Sequence, residues 1–433
     1  MRAASRSSWG RRHPSTPLTL TLATAVFLGE AAGPAGAAPT PAPRPSATAS
    51  SPGATDLPLM PAQLGFDAPC TGPSHATVTR VPWPQVYLGL DRAWTLSTGR
   101  DVTIGVVGTG VDDAGALSGR VRSLTPVAGG ETEPADCVGH GTFVAALAAA
   151  SRRPGVGFAG AAPDATLLAV RATEPDGTTT GKELARGLRA AVGGGARVVV
   201  VASSVTADDR DLAAAVTDAA RHDVVVVAPA SVQASTASSV RAWPAAYPAA
   251  VSVAGIAPGG ALGAPPADGA RTDLLAPGYQ VMSVGPGGAG NFAGSDDAFA
   301  AAYVAGTAAL VRSYRPGLSA VEVVRRLEET AAHPGGVLPH PSAGYGAVDP
   351  YAAVADVVAE PYRPGLAAPL RLRHTNAAGS PGRTALWLTA VLLAAVAALG
   401  AVAVAVPRGR ARRWRPDGVP AVRTASTLEK SEE

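Results

Sequence analysis

Runs of consecutive β-branched residues, separated by alanine-rich segments of helical length, are the feature that most constrains how this 433-residue chain can fold. Continuous apolar runs, unlike runs that alternate with polar residues, are typical of strands that are buried on both faces. Strands of this kind that alternate with helices predict a parallel sheet with helices on both sides. The sequence therefore predicts an α/β fold with a doubly wound parallel sheet flanked by helices.

The predicted strands and helices follow one another through the middle of the chain. Strands are predicted at 102–107, 166–170, 197–201, 224–227 and 250–254. Helices are predicted at 141–150, 181–192, 211–222 and 298–314, with two final helices at 319–333 and 350–358. We expect these elements to form one domain over residues 62–359, which is close to the upper size of a single hydrophobic core.

Residues 1–37 have the pattern of a secretory signal peptide. An arginine cluster precedes the uncharged run 18–28, and the small residues Ala35, Gly36 and Ala37 offer a cleavage site. The pair Arg11-Arg12 leaves a twin-arginine signal open as an alternative export route. Residues 38–61, which are rich in Pro, Ala, Ser and Thr, are predicted to be a linker that cannot bury a core.

A second uncharged run lies near the carboxyl end, at residues 385–406. At about 1.5 Å of rise per residue a helix over this run covers a hydrocarbon core of about 30 Å, so a transmembrane helix is predicted. A linker at 360–384 precedes it, and the tail 407–433 that follows is rich in arginine. The positive-inside rule keeps this basic tail in the cytoplasm and places the predicted domain outside it, at the cell membrane.

The net charge of +3 and the pI near 9.0 do not indicate a nucleic-acid-binding protein. The excess positive charge lies in the signal region and in the basic tail, and the chain between them is slightly acidic. A basic groove is therefore not expected, and nucleic acid is excluded as a partner. The histidines show no metal-ligand spacing, so neither a metal nor a cofactor is predicted.

The chain has two cysteines, Cys70 and Cys137, which excludes a disulfide-dense scaffold. Because both fall on the predicted extracytoplasmic side, a single disulfide is the expected pairing. Two free thiols in an oxidising compartment are the alternative.

Four segments, taken in order, resemble the motifs of subtilisin-like serine proteases, the peptidase S8 family. Residues 136–142, Asp-Cys-Val-Gly-His-Gly-Thr, resemble the motif in which a histidine opens a helix as general base, here His140. Residues 102–111 resemble the strand that ends in Asp-Thr-Gly. Residues 273–278 resemble the loop before the nucleophile, and 299–306 the helix after it. The resemblance implies the subtilisin-like fold.

Further features resemble the mycosins, a membrane-anchored branch of these proteases that belongs to type VII secretion systems. They are the signal peptide, Cys70 in an amino-terminal extension, Cys137 before the histidine motif, residues 344–350, and the terminal span with its basic tail. The resemblance implies a membrane location and, as partners, membrane subunits of a type VII secretion system. Peptides or secreted substrates are further candidate partners.

When the four catalytic roles of the family are assigned to positions of this sequence, three of the four positions hold residues that cannot perform them. His140 falls on the general base, but the position of the orienting aspartate is Gly108. The position of the nucleophilic serine is Ala298, and that of the oxyanion asparagine is Val232. Because loss of the serine alone lowers the turnover of subtilisin roughly a million-fold, a catalytically inactive pseudoprotease is predicted.

Nearby residues could in principle replace the missing groups. Ser295 is a candidate nucleophile, and Asp112 and Asp113 are candidate orienting carboxylates. A shift of three residues moves the backbone by several ångströms, so use of Ser295 requires a rebuilt loop. Asp296 and Asp297 are instead expected to cap the helix that begins near Ala298, whose free amides favour carboxylates.

These observations lead to three hypotheses for the function of the chain. The first is an inactive, membrane-anchored mycosin-like protein with a structural or regulatory role in type VII secretion. The second is an active serine endopeptidase with relocated catalytic residues. The third is a pseudoprotease that binds peptides in the retained cleft, and it is weakened because residues 201–205 lack the Ser-x-Gly pattern of the family's substrate-binding edge.

Overall fold

A computed structural model describes residues 57–130, 135–232, 240–263, 270–288, 290–358 and 381–411. The chain divides into two compact units, Met1–Val358 and Ala359–Glu433. The predicted signal peptide, most of both predicted linkers and most of the basic tail lie outside the described residues.

Seven parallel strands form the main sheet of the first unit, counted over its described residues, in the order β2-β3-β1-β4-β5-β6-β7. From β1 the chain goes to the edge strand β2 and returns to β3 beside β1, and it then runs outward from β4 to β7 on the other side, so the sheet is doubly wound as predicted. The predicted valine-rich runs form β1, β3, β4, β5 and β6. The strands are β1 (Thr103–Gly108), β2 (Val121–Ser123), β3 (Thr166–Arg171), β4 (Val198–Val201), β5 (Val225–Pro229), β6 (Ala250–Ile256) and β7 (Leu274–Pro277).

Helices cover both faces of this sheet, which is why its strands are apolar throughout. Val106 and Val200 lie side by side in β1 and β4 and belong to the core under α3 and α6. Val107 and Val201 belong to the core under α4 and α5. The helices are α1 (Trp83–Tyr87), α2 (Leu90–Ala93), α3 (His140–Ala149), α4 (Gly181–Gly193), α5 (Arg210–Arg221), α6 (Asp297–Tyr314), α7 (Ala320–Glu329), α8 (Pro350–Ala355) and α9 (Pro381–Ala411).

The helix starts follow from local capping. Thr180 accepts a hydrogen bond from the Glu183 amide while the Glu183 carboxylate binds the Thr180 amide, which forms a capping box at α4. Ser319 and Glu322 repeat the arrangement at α7. The last two predicted helices extend too far, because α7 ends at Glu329 and α8 at Ala355.

The segment before α1 is fixed to the domain at several points. Leu59 forms a bridge with Ala293 in a two-stranded antiparallel sheet. Cys70 and Cys137 form the predicted disulfide. These two contacts hold the segment before α1 beside the turn that leads to His140. The two strands of the small sheet are β8 (Val281–Val284) and β9 (Asn291–Gly294).

The second unit contains the helix α9, 31 residues long. Within it, Trp387–Gly409 is long and apolar enough to cross a membrane, by length and composition. This stretch overlaps the predicted span 385–406. A single charged residue, Arg408, lies inside it, close to its carboxyl end.

A buried arginine ties the end of α6 to the loop before β5. The Arg312 side chain is 2% exposed, and its Nη1 lies 3.2 Å from Oδ2 of Asp223. The same aspartate accepts a hydrogen bond from Arg197 at 2.9 Å and one from the Ala320 amide at the start of α7. Desolvation opposes ionisation of Asp223, but these hydrogen bonds and positive charges outweigh it and lower its pKa.

We expect Asp223→Asn to destabilise the domain by about 1–3 kcal/mol at neutral pH, because a buried guanidinium loses its counter-charge. Asparagine tolerates the left-handed backbone of this position (φ 60°), so strain is not added. Since the folded pKa is depressed, the contribution is present above about pH 4 and is lost as the pH falls below it.

Urea unfolding at neutral and acidic pH measures this effect. The matched control is Asp218→Asn, which removes an exposed pair with Arg221 and should cost under about 1 kcal/mol. Equal losses in the two variants would contradict the assignment of Asp223 as a structural counter-ion.

Candidate functional site

His140 is the first residue of α3 and stands at the carboxyl end of the sheet, where the strands of a doubly wound fold present their sites. The turn before it is held by the buried carboxylate of Asp136, which accepts hydrogen bonds from the Gly139 amide and the Thr142 amide, both at 2.8 Å. Burial raises the pKa of Asp136, and these hydrogen bonds oppose the rise. Gly139 has φ 88° and lies against Pro286, so only glycine fits there.

The loop after β1 is bound to the same turn. The Thr109 hydroxyl accepts a hydrogen bond from the Gly141 amide at 2.8 Å, and the Thr142 hydroxyl accepts one from the Asp112 amide at 3.0 Å. The end of β1 and the start of α3 are therefore held as one unit. This brings Gly108, the last residue of β1, to the edge of the site.

The two candidate orienting carboxylates point to backbone amides in loops. Asp112 accepts a hydrogen bond from the Gly287 amide at 2.7 Å, and Asp113 accepts one from the Gly119 amide at 2.8 Å. At Gly108 itself, a Cβ would lie 3.1 Å from the Cβ of Ala202, closer than ordinary van der Waals contact. A side chain there would need Ala202, the residue after β4, to shift by a few tenths of an ångström.

The carboxylate of Asp296 faces the histidine. Its Oδ2 lies 3.5 Å from Nε2 of His140, and the side chains are 9% and 1% exposed. Its Oδ1 accepts a hydrogen bond from the Ala298 amide at 2.8 Å, so Asp296 is the N-cap of α6, as predicted from sequence. One buried carboxylate thus connects the starts of α3 and α6.

Asp297 does not share this capping role. Its Oδ1 accepts a hydrogen bond from the Gly255 amide at 2.8 Å, and the Ser231 and Tyr279 side chains also bind it. Burial raises its pKa from 3.8 to about 6; those hydrogen bonds oppose the rise and the charge of Asp296 adds to it. Burial and the charge of Asp297 also raise the pKa of Tyr279.

The remaining candidates lie around this pair. Ala298 is fully buried and presents a methyl group where the resemblance places the nucleophile. Ser295 is exposed, and its hydroxyl accepts a hydrogen bond from the Gln280 amide at 3.0 Å. Val232 is half-buried and has no side-chain donor.

Aromatic packing surrounds the histidine ring. The rings of His140 and Phe299 have centroids 5.1 Å apart, and Phe299 lies 4.3 Å from the ring of Phe143. Aromatic contacts of this kind stabilise a buried imidazole whether or not it takes part in catalysis. Within the described part of the chain, no three His, Cys, Asp or Glu side chains are grouped so that they could hold a metal ion.

Sequence reasoning missed Ser231 and Tyr279, which support Asp297. Tyr279 directly follows the Pro-Gly of the loop motif, and Ser231 directly precedes Val232. Their position directly beside the family-like motifs was the sequence signal that these two residues belong to the site. It was insufficient because their contact with Asp297 depends on how β5, β7 and α6 meet.

The backbone of the substrate-edge segment is partly occupied. The Val205 amide donates to the Trp243 carbonyl and the Trp243 amide donates to the Val205 carbonyl, both at 3.0 Å. These bonds use both backbone groups of Val205, so a peptide that added as a strand at this residue would find them occupied.

The chain is similar to known subtilases over most of its length. Residues 99–348 match the peptidase S8 family, described as the subtilase family. Mycosin-1 of Mycobacterium tuberculosis strain H37Rv is 30% identical over 370 residues, which cover 69% of this chain and 82% of mycosin-1. Mycosin-3 of the same strain is 31% identical over 438 residues, covering 84% of this chain and 92% of mycosin-3.

A solved structure of MycP1, a serine protease described as an essential component of the type VII (ESX-1) secretion system, superposes with a TM-score of 0.58. Its sequence is 27% identical, and the match covers 71% of this chain and all of the MycP1 chain. Sequence and structure therefore point to the same family and the same branch.

The buried carboxylate of Asp297 should make stability depend on pH. Because its folded pKa is raised above the unfolded value, its favourable contribution is present below about pH 4 and is lost as the pH rises through about 6. The variant Asp297→Asn keeps the size of the side chain and an acceptor for the Gly255 amide. Relative to this variant, the wild type should lose up to about 3 kcal/mol between pH 4 and pH 8.

Denaturant unfolding of both proteins across this pH range measures the difference. A difference in unfolding free energy that stays constant with pH would show that Asp297 does not titrate in this window. The Asp218→Asn variant, with its exposed carboxylate, again serves as the control.

Proposed function

Because this chain belongs to the subtilase family and is of the mycosin type, we propose that it is a membrane-anchored mycosin homologue that no longer hydrolyses peptide bonds. In this proposal Gly108, Ala298 and Val232 occupy the positions of the aspartate, serine and oxyanion asparagine. His140 is the retained member of the triad. The chain acts as a structural or regulatory component of a type VII secretion system.

The observation that carries the loss of catalysis is the group opposite the histidine. A serine protease needs a hydroxyl within about 3 Å of the base, from which the base takes a proton. Here Oδ2 of Asp296 lies 3.5 Å from Nε2 of His140. A carboxylate in this position is not the hydroxyl nucleophile that acyl transfer through the histidine requires.

Relocated catalysis finds little support in the same geometry. Ser295 directly precedes the Asp296 cap and is exposed. Its hydroxyl accepts a hydrogen bond from the Gln280 amide. Asp112 and Asp113 bind the amides of Gly287 and Gly119. To use these groups, the cap of α6 and both loops would have to rearrange together.

The secretion role rests on the relatives and on the anchor. MycP1 is described as an essential component of the type VII (ESX-1) secretion system. The apolar stretch Trp387–Gly409 offers a membrane span, and the arginines that follow it favour a cytoplasmic carboxyl end. We place the subtilase domain outside the cytoplasm, where it binds membrane subunits of the secretion channel.

The first test asks for a reactive serine. The full chain in detergent is treated with a biotinylated fluorophosphonate, with subtilisin E as the positive control. We expect no labelling of the wild type and no hydrolysis of a peptide substrate library, because no hydroxyl is activated by His140. Labelling that disappears in Ser295→Ala, together with proteolysis, would establish the relocated-catalysis alternative instead.

The second test asks for the partner. The tagged full chain is crosslinked in its native membrane and purified, and co-purified proteins are identified by mass spectrometry. We expect type VII membrane subunits with both the wild type and His140→Ala, because the role does not depend on the base. Purification without any channel subunit would overturn the secretion role while leaving the conclusion on catalysis intact.

A further inference from the structure

A second concave site lies at the opposite end of α3 from the histidine. It is a groove of about 880 Å³ between the α1–α2 segment, the loop that follows α3, and the segment that leads into α8. Because α3 has ten residues, its two ends are about 15 Å apart. The groove is therefore separate from the cleft that contains His140 and Asp296.

The walls of the groove expose large apolar side chains. Val86 is 70% exposed, Val81 55%, Tyr87 46% and Val156 40%. Single exposed apolar residues are common on protein surfaces, but a cluster that lines one concavity is typical of a binding surface. The volume is within the range of sites that take a few side chains of a ligand.

Arginines held on aromatic rings give the groove its charge. The guanidinium of Arg92 lies 4.2 Å from the centre of the Tyr351 ring, and that of Arg152 lies 5.4 Å from the centre of the Trp94 ring. Both arginines are exposed, and Arg153 lies beside them. Stacking orients a guanidinium and leaves its in-plane N–H groups available to a carboxylate.

The acidic residues of the groove do not cancel this charge. Asp349 is the N-cap of α8, and its carboxylate accepts a hydrogen bond from the Ala352 amide at 2.9 Å. Asp91 is exposed and is the other acid that lines the groove. Three arginines and two carboxylates therefore line the groove, which leaves one net positive charge; Arg153 also donates a hydrogen bond to the Gly115 carbonyl.

We infer that this groove binds an acidic peptide segment of a partner protein, with an aliphatic or aromatic residue as its anchor. The apolar walls accept the anchor, and Arg92 and Arg152 pair with flanking Asp or Glu side chains. The concave shape favours a peptide over a lipid surface, because a bilayer requires a protruding contact. Binding at this groove does not depend on whether the cleft at His140 has lost catalysis.

A displayed library of random short peptides, selected on the full chain in detergent, tests the proposal. The expected consensus combines Asp or Glu with Leu, Phe or Trp, and the selected peptide should bind saturably by fluorescence anisotropy. Arg152→Glu should weaken binding about tenfold, because attraction becomes repulsion. Val86→Asp should weaken it comparably by removing an apolar contact.

The control variant is Arg210→Glu, which reverses an equally exposed charge at the start of α5, away from the groove. It should leave the affinity unchanged. A consensus without acidic residues, equal affinity for the Arg152→Glu variant, or no saturable binder would overturn the proposal. So would displacement of the peptide by a short-chain anionic phospholipid at submicellar concentration, since that result would assign the groove to lipid.

Discussion

The buried start of α6 is the constraint on which the rest of the structure depends. This helix is almost entirely enclosed, so the free amides of its first turn cannot be satisfied by water. Asp296 supplies the acceptor for one of them, and its second oxygen faces His140 at the start of α3. Two helices that cover the same face of the sheet are thereby held at one point, and the sheet beneath them is closed to solvent.

The same constraint holds whether or not the domain hydrolyses peptide bonds. The fold requires an acceptor at the N-cap of α6, a compact turn before α3 and a small residue at Ala298. None of these requirements specifies a nucleophile. His140 packs against Phe299 and faces Asp296, so its retention has a structural reason that does not involve proton transfer. A residue without a side chain at Gly108 likewise suits the close approach of Ala202.

Long continuous apolar runs predicted their strands, whereas short strands were missed even where they are fully buried, as in β7, which lies in the segment 273–278 predicted as a loop. Valine runs revealed β1, β3, β4, β5 and β6 because both of their faces are covered by helices, so no polar residue interrupts the pattern. By contrast, β2 has three residues, two of them exposed, and β8 and β9 form a short hairpin that Leu59 joins from far away in sequence. The disulfide followed from having only two cysteines in one predicted compartment. The contacts of Asp297 with Ser231 and Tyr279 could not be predicted, because three separate strands and loops converge there.

Under the proposal that catalysis is lost, the function of the chain depends on surfaces outside the cleft. The His140 and Asp296 side chains fill the centre of the cleft, and Val205 at its edge is already hydrogen-bonded to Trp243. The groove beside α1 and α2 uses none of these residues, and it is separated from them by the length of α3. Substitutions at the positions around His140 should therefore leave the groove unaltered, because residues this far apart and without shared partners contribute nearly independently to stability and binding. A fold built around the burial of α6 can in this way present a recognition surface that does not depend on the chemistry of the cleft.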